Sequence, residues 1–318
     1  MTFETLKNRL LKDDPFTSII GQENIKEQIK TAILTERNVI IVGQPGIGKT
    51  TLVKDLARLL EHNKFVRVQG SPDLTAEDLI GDIDPIKALE YGPLSKEAFT
   101  PGKLFKADGG ILFFDEINRC PEKLQNALLQ ALQEKKITIG SYDVDFDANF
   151  IFIATMNPED TNTERMSDVL LDRFDLIYMT YPQDVEEELA IVRRYGKYLI
   201  KFSDDLLRYY IKFIHDLRKN DQLEKKPSVR ATLGLYERGQ AEAVVQKQKE
   251  VRYQDVQAVL ESVLAHRIRL KPSADFLLTP KEFIKRESHK YKENISTSFV
   301  TTTLNSASDN ENEEGDDP

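Results

Sequence analysis

Apolar residues along this chain follow two rhythms, and the change between them falls near residue 182. Before it, five short runs rich in β-branched and aromatic residues, at 38–42, 64–68, 110–115, 149–155 and 175–180, alternate with stretches of helical spacing. Runs apolar throughout read as strands buried on both faces, and their alternation with helices predicts βαβ units in a parallel sheet. Residues 24–34, ahead of the first run, read as an amphipathic helix. After Tyr181-Pro182 the spacing is helical at 185–195, 204–218, 228–246 and 253–267, which predicts a second, all-helical unit. The expected architecture is therefore α/β: an αβα core over 1–182 with a five-stranded parallel sheet, a helical domain over 183–272, and a C-terminal extension over 273–318. No repeat at solenoid periods is present.

Two segments interrupt the alternation. About forty residues separate the second and third strands, too many for an ordinary connection, so a functional excursion is expected there. Residues 136–147 alternate on both sides of Gly140-Ser141, the pattern of a β-hairpin just before the fourth strand.

The first strand runs into Gly43-Gln44-Pro45-Gly46-Ile47-Gly48-Lys49-Thr50, which fits G-x-x-x-x-G-K-[ST] at every fixed position. Behind it, Thr51 opens a segment with Leu52, Leu56, Leu59 and Leu60 at helical spacing. Strand, glycine loop and helix together suit a phosphate: amides turn inward around the anion, and the helix N-terminus adds its positive dipole end. Lys49 would reach the outer phosphates and the Thr50 hydroxyl would sit on Mg²⁺. The plainer alternative is a glycine turn that joins strand to helix. The Lys-Thr pair at the right offset favours nucleoside triphosphate binding.

Ile111-Leu112-Phe113-Phe114-Asp115-Glu116 is an apolar strand ending in two carboxylates. Such a strand delivers Asp115 to the sheet's carboxyl edge, where it suits the Mg²⁺ shell, and sets Glu116 to polarise an attacking water. Two solvated acids closing a strand are the alternative. Asn157-Pro158 ends the fourth strand; by itself it is a turn signal. Arg173, in Leu171-Asp172-Arg173-Phe174, reads equally as a surface, ion-pair or catalytic arginine.

Composition narrows the class. A 40% hydrophobic share with 31% charged residues is ordinary for a soluble globular protein, and 318 residues allow roughly two folding units. No apolar stretch approaches a membrane span, and the first residues lack the apolar segment of a secretory leader, so a cytoplasmic protein is expected. The single cysteine, Cys120, excludes an intramolecular disulfide and reads as packing. Net charge is −9, but residues 295–318 hold six acids and no Lys or Arg. The rest is nearly balanced and gives no electrostatic support for a nucleic-acid footprint. The Ser/Thr/Asn/Glu-rich tail is expected to be disordered, either solubilising or docking a partner.

Taken together, Gly43 to Thr50, Asp115-Glu116-Ile117-Asn118-Arg119, Thr155-Met156-Asn157-Pro158 and Leu171-Asp172-Arg173-Phe174 resemble the motif series of AAA+ ATPases, nearest the MoxR branch beside the magnesium chelatase ATPase subunit. The resemblance covers roughly residues 16–270. Ile20-Gly21-Gln22 is similar to the family's adenine-side segment, the stretch from Ser71 to the helix-2 insert, and 137–146 to the pre-sensor-1 hairpin. It implies that Asn157 is the sensor positioning water, Arg173 an arginine finger acting on a neighbouring subunit's nucleotide, and Arg230 the second sensor on the helical lid. It also implies ATP and Mg²⁺ as cofactors and a homo-oligomeric ring, a hexamer. That ring would remodel a client protein complex with a von Willebrand factor A domain partner. The motor subunit of a metal chelatase and a nucleotide-dependent scaffold stand as alternatives; Glu116 and Arg173 argue against the scaffold. A DNA translocase is disfavoured by charge, and a GTPase by the lack of an Asn-Lys-x-Asp motif.

Overall fold

Side chains alternating across short strands build the first unit. The computed structural model describes residues 3–293 apart from 13, 61–63, 93–94, 139–144, 148 and 159–165. The chain divides into two units, Met1–Pro182 and Gln183–Pro318. In the first, the strands are β1 (Val39–Val42), β2 (Phe65–Gln69), β3 (Gly81–Ile83), β4 (Phe99–Pro101), β5 (Ile111–Asp115), β6 (Lys136–Thr138), β7 (Asp145–Asp147), β8 (Ile151–Met156) and β9 (Asp175–Tyr178). Five of them form one parallel sheet in the order β2-β5-β8-β1-β9.

The three central strands explain the unbroken apolar runs. Val39 and Ile41 of β1, Ile111 and Phe113 of β5, and Ile151 and Ile153 of β8 feed one core beneath the helices Phe3–Lys12, Glu23–Leu34 and Lys49–Ala57. Their alternate neighbours Ile40, Val42, Leu112, Phe114, Phe152 and Ala154 feed a second core on the opposite face with Leu124, Leu128 and Ala131 of the helix Glu122–Glu134. Two-sided burial of this kind demands apolar residues at every position. The outer strands β2 and β9 face one neighbour each, and there Arg67, Gln69, Asp175 and Tyr178 enter the sequence.

The long connection after β2 is broken into short pieces: helix Ala76–Ile80, β3, helix Pro85–Tyr91 and β4, with β3 and β4 paired antiparallel. The expected hairpin before β8 is present as β6 paired antiparallel with β7, in register Ile137↔Phe146; its Gly140-Ser141 turn lies outside the described residues. The N-terminal helix Phe3–Lys12, which buries Leu6 and Leu10, is an addition to the sequence reading.

The second unit packs the helices Val185–Tyr195, Asp204–Lys219, Val229–Val245 and Tyr253–Leu264 around its own core. Their ends carry local signals: Asp184 and Ser203 cap two N-termini, and acids in the first turn of Asp204–Lys219 oppose Arg218 and Lys219 in its last. A short antiparallel ribbon, β10 (Leu223–Lys225) with β11 (Arg269–Leu270), is added to these helices. Packing also continues beyond the expected boundary at 272. A further helix over 280–293 places Phe283 and Ile284, both fully buried, in the same core. The acidic tail lies outside the described residues.

Candidate functional site

Because the five strands run parallel, the residues that follow β1, β5 and β8 emerge along one edge. The loop Gly43–Thr50 follows β1, Asp115 and Glu116 end β5, and Asn157 follows β8. The loop needs its glycines. Gly46 and Gly48 hold φ of 77° and 104°, a region that favours glycine, and Gly48 caps the helix Lys49–Ala57. A side chain at Gly43 would meet the Met179 carbonyl oxygen at 2.4 Å. Ile47 is buried, while Gln44, Pro45, Gly46 and Thr50 are half-buried and Thr51 is exposed. Lys49, 9% exposed, folds its Nζ onto the loop, donating to the Gly43 carbonyl and to the Gln44 carbonyl at 2.7 Å.

Ile20 and Gly21 lead into the helix Glu23–Leu34 through Gln22; Gly21 and Gln22 both have positive φ. The Gln22 amide donates to the Thr180 carbonyl at 3.1 Å, tying this segment to the chain just beyond β9. Ile19 and Met179 flank Gly48 from that side.

The carboxylates are held by a close network. Asp115 is buried and Glu116 half-buried. The Thr50 hydroxyl lies 3.2 Å from both Asp115 oxygens. Thr155, fully buried at the end of β8, donates to Asp115 Oδ1 at 2.6 Å and accepts the Glu116 amide at 2.9 Å. Glu116 sits in the left-handed region (φ 58°, ψ 52°), an unusual place for a residue with a side chain, and one often associated with function. From β2, Arg67 pairs with Asp115 Oδ2 at 2.7 Å, and the Gln69 amide donates to Glu116 Oε2 at 3.1 Å. Arg119 Nη1 lies 3.1 Å from the same Glu116 oxygen. Asn157 is half-buried, and its carbonyl accepts from the buried Asn118 at 2.9 Å.

Arg67, Gln69, Thr155 and Asn118 were not singled out by sequence. The available signal was the spacing of Arg67 and Gln69, polar at i and i+2 in an otherwise apolar run. Behind this turn, burial pushes the Cys120 thiol up to about 11.

Arg173 does not join this group. It precedes β9, whose first residue Asp175 pairs with Val39, the first residue of β1. It therefore lies at the sheet's amino edge, opposite the glycine loop. Its Nη1 donates to the Val169 carbonyl, and its buried Nε has no hydrogen-bond partner among the described residues. Arg230 belongs to the second unit, where it is exposed one residue into the helix Val229–Val245. Beneath that helix lies a buried polar cluster. Glu188 accepts from Arg218 at 2.6 and 2.9 Å, from His215 Nε2 at 2.8 Å and from the Thr232 hydroxyl, while Arg218 Nε donates to the Pro227 carbonyl at 2.9 Å. Burial alone would raise the Glu188 carboxyl; its His215, Arg218 and Thr232 partners outweigh that and hold it at about 2.

A glycine loop opening a helix, beside paired carboxylates on a parallel sheet and followed by a helical domain, defines a P-loop nucleotide-binding protein. Family models match accordingly: an AAA domain of the dynein-related subfamily over residues 38–174 and an AAA lid domain over 216–287. Chaperone MoxR1 of Mycobacterium tuberculosis is 31% identical over 285 residues, spanning 79% of this chain and 73% of that protein. The magnesium-chelatase 38 kDa subunit of Chlorobaculum parvum is 26% identical over 324 residues, spanning 81% and 92%. Among solved structures, a mutant of Thermotoga maritima RuvB shares the fold, with a TM-score of 0.53 and 21% identity over 76% of this chain and 70% of that one. The chain belongs to the MoxR family of AAA+ ATPases, as the motif series implied. No helix among the described residues is long and apolar enough to cross a membrane.

Proposed function

We propose that this ATPase works as a homo-oligomeric ring, a hexamer, in which each Arg173 serves the nucleotide bound by the next subunit. The observation carrying this reading is the placement of Arg173 at the sheet edge opposite Gly43–Thr50. From Val39 to Gly43 alone the strand advances roughly 13 Å, beyond what an arginine side chain spans. A nearby subunit is the natural recipient.

Within one subunit, Lys49 would exchange the Gly43 and Gln44 carbonyls for the outer phosphates, which it matches in charge. The hydroxyl of Thr50 and the carboxylate of Asp115 form the hard oxygen pair that suits Mg²⁺, whose part when bound is to offset phosphate charge. Among the described residues no group of three or more His, Cys, Asp or Glu could hold a metal ion. Glu116 would accept the proton of the attacking water, Asn157 would orient that water, and Arg230 would serve as the lid's sensor. Ile20 and Gly21 would border the adenine.

The work is proposed to be remodelling or assembly of a client protein complex with a von Willebrand factor A domain partner, in the cytoplasm. Likeness to the 38 kDa chelatase subunit over 92% of its length supports a second reading, the motor of a metal chelatase. Co-expression with an adjacent-gene product of either kind, read as a change in ATPase rate, separates the two.

Mixing Arg173→Ala with Lys49→Ala tests the ring. Each variant alone should be nearly inactive, since arginine fingers are worth about 10³ to 10⁵ in rate. Partial recovery on mixing, rising with protein concentration, is expected. No recovery from variants that co-assemble would assign Arg173 to its own subunit or to structure alone.

A further inference from the structure

Asp115 has a crowded carboxylate. A carboxylate offers about four lone-pair sites. Here Oδ1 takes the buried Thr155 hydroxyl at 2.6 Å, Oδ2 takes Arg67 Nη2 at 2.7 Å, and the Thr50 hydroxyl lies 3.2 Å from both. Three donors converge on it, the single Thr50 hydroxyl hydrogen shared between the two oxygens, which leaves at most one lone pair for a cation or for the water of its shell.

The three donors differ in how readily they leave. Thr155 is fully buried on the central strand β8, and its oxygen also accepts the Glu116 amide, so Oδ1 is fixed. Arg67 stands on the outer strand β2 with its side chain 45% exposed, against 9% for Asp115. Its Nη2 already has a second acceptor in Gln69 Oε1 at 3.0 Å, which can keep part of its hydrogen bonding once it leaves the carboxylate. A guanidinium and a divalent cation on the same oxygen would also repel at short range. Resting on the proposed placement of Mg²⁺ at Thr50 and Asp115, we infer that Arg67 is a stand-in cation, and that metal binding displaces it from Asp115 Oδ2.

Two effects on nucleotide binding follow. Without metal, Arg67 masks a carboxylate that would otherwise repel the phosphates. With metal, Arg67 is a competitor that must be moved aside. Both reduce the factor by which Mg²⁺ tightens nucleotide binding, so Arg67 tunes metal dependence rather than touching the reacting atoms. It is a positioning residue.

The test is calorimetry of AMP-PNP, a non-hydrolysed ATP analogue, binding to the full chain in EDTA and in saturating Mg²⁺. The ratio of the two dissociation constants is the metal coupling. Arg67→Gln should raise that ratio by on the order of 10-fold, within the usual range of coupling between ligands. Arg67→Lys, which keeps a cation there, should stay near wild type. A ratio unchanged or lowered in Arg67→Gln overturns the inference. Asp115→Asn separates this from failure of the underlying site. Asp115→Asn should bring the ratio towards unity and make Arg67→Gln silent in the double variant. If Asp115→Asn leaves the wild-type ratio intact, the metal does not depend on Asp115, and both the site reading and the role of Arg67 fall. If it collapses the ratio while Arg67→Gln changes nothing, only the role of Arg67 falls.

Discussion

The Thr155 hydroxyl joins the two carboxylate residues of the site: it donates to Asp115 Oδ1 at 2.6 Å and accepts the amide of Glu116 at 2.9 Å. Thr155→Val keeps the shape and removes both bonds. It should cost about 1–3 kcal/mol of stability, the price of stranding a partly buried amide. Turnover should fall roughly tenfold or more if the paired carboxylates set the rate. Steady-state kinetics with calorimetric nucleotide binding checks this, since binding should change far less than kcat. Wild-type turnover would make Thr155 a packing residue only.

Glu116→Gln should bind ATP and barely hydrolyse it. The amide preserves size but accepts no proton from water, and loss of a general base commonly costs 10²- to 10⁴-fold. Single-turnover hydrolysis is the measurement. Unchanged turnover would move the proton to Asp115.

Gly70 closes the end of β2 against the carboxylate turn. Its amide donates to the Asp115 carbonyl at 2.7 Å, and an added Cβ would meet the Glu116 carbonyl oxygen at 2.1 Å. Gly70→Ala must push that turn aside. Catalysis should fall while the fold persists, as read by ATPase assay beside circular dichroism. Normal activity would show that the left-handed Glu116 tolerates displacement.

The Glu188 cluster predicts a pH dependence in the second unit. Its folded carboxyl, at about 2, lies below the ordinary 4.5, so the stabilisation is complete above pH 4.5 and is lost as pH falls from 4.5 towards 2. Urea midpoints of the second unit should hold between pH 7 and 5 and drop below. Arg218→Met strands the buried carboxylate and should cost about 3–5 kcal/mol at neutral pH. A midpoint insensitive to both changes would mean that apolar packing alone holds these helices.

How far the sequence could be read depends on whether a signal lies along the chain or across it. The central strands were legible because burial on both faces leaves no room for polar residues between Ile111 and Phe114 or between Ile151 and Ala154. The glycine loop and Asp115-Glu116 were legible because their chemistry needs fixed spacing. The β10–β11 ribbon was not, since three residues against two carry no period. Among the described side chains of Phe3–Lys12 only Leu6 and Leu10 are buried, too short a stripe to stand out beside the question of a leader segment. Arg67 and Thr155 were missed for a different reason. Their partners are set by register, Gln69 opposite Asp115 and Ala154 opposite Phe114, and no one-dimensional pattern records which strands become neighbours. Phe283 and Ile284, beyond residue 272, find their core through tertiary packing, which no one-dimensional pattern records either.

Cys120, the chain's sole cysteine, is fully buried one short turn beyond Glu116, and its thiol is pushed up to about 11. A thiol reacts as its thiolate, so alkylating reagents should find almost nothing to modify in the native protein. The silent sulfur becomes a clock. Its rate of labelling measures how often the wall behind the paired carboxylates breathes open, and a slowing on adding nucleotide would report how firmly the ligand closes it. The same silence means that a second cysteine, engineered at any exposed position, would take a fluorophore alone, so that single subunits could be watched without first stripping the protein of native thiols.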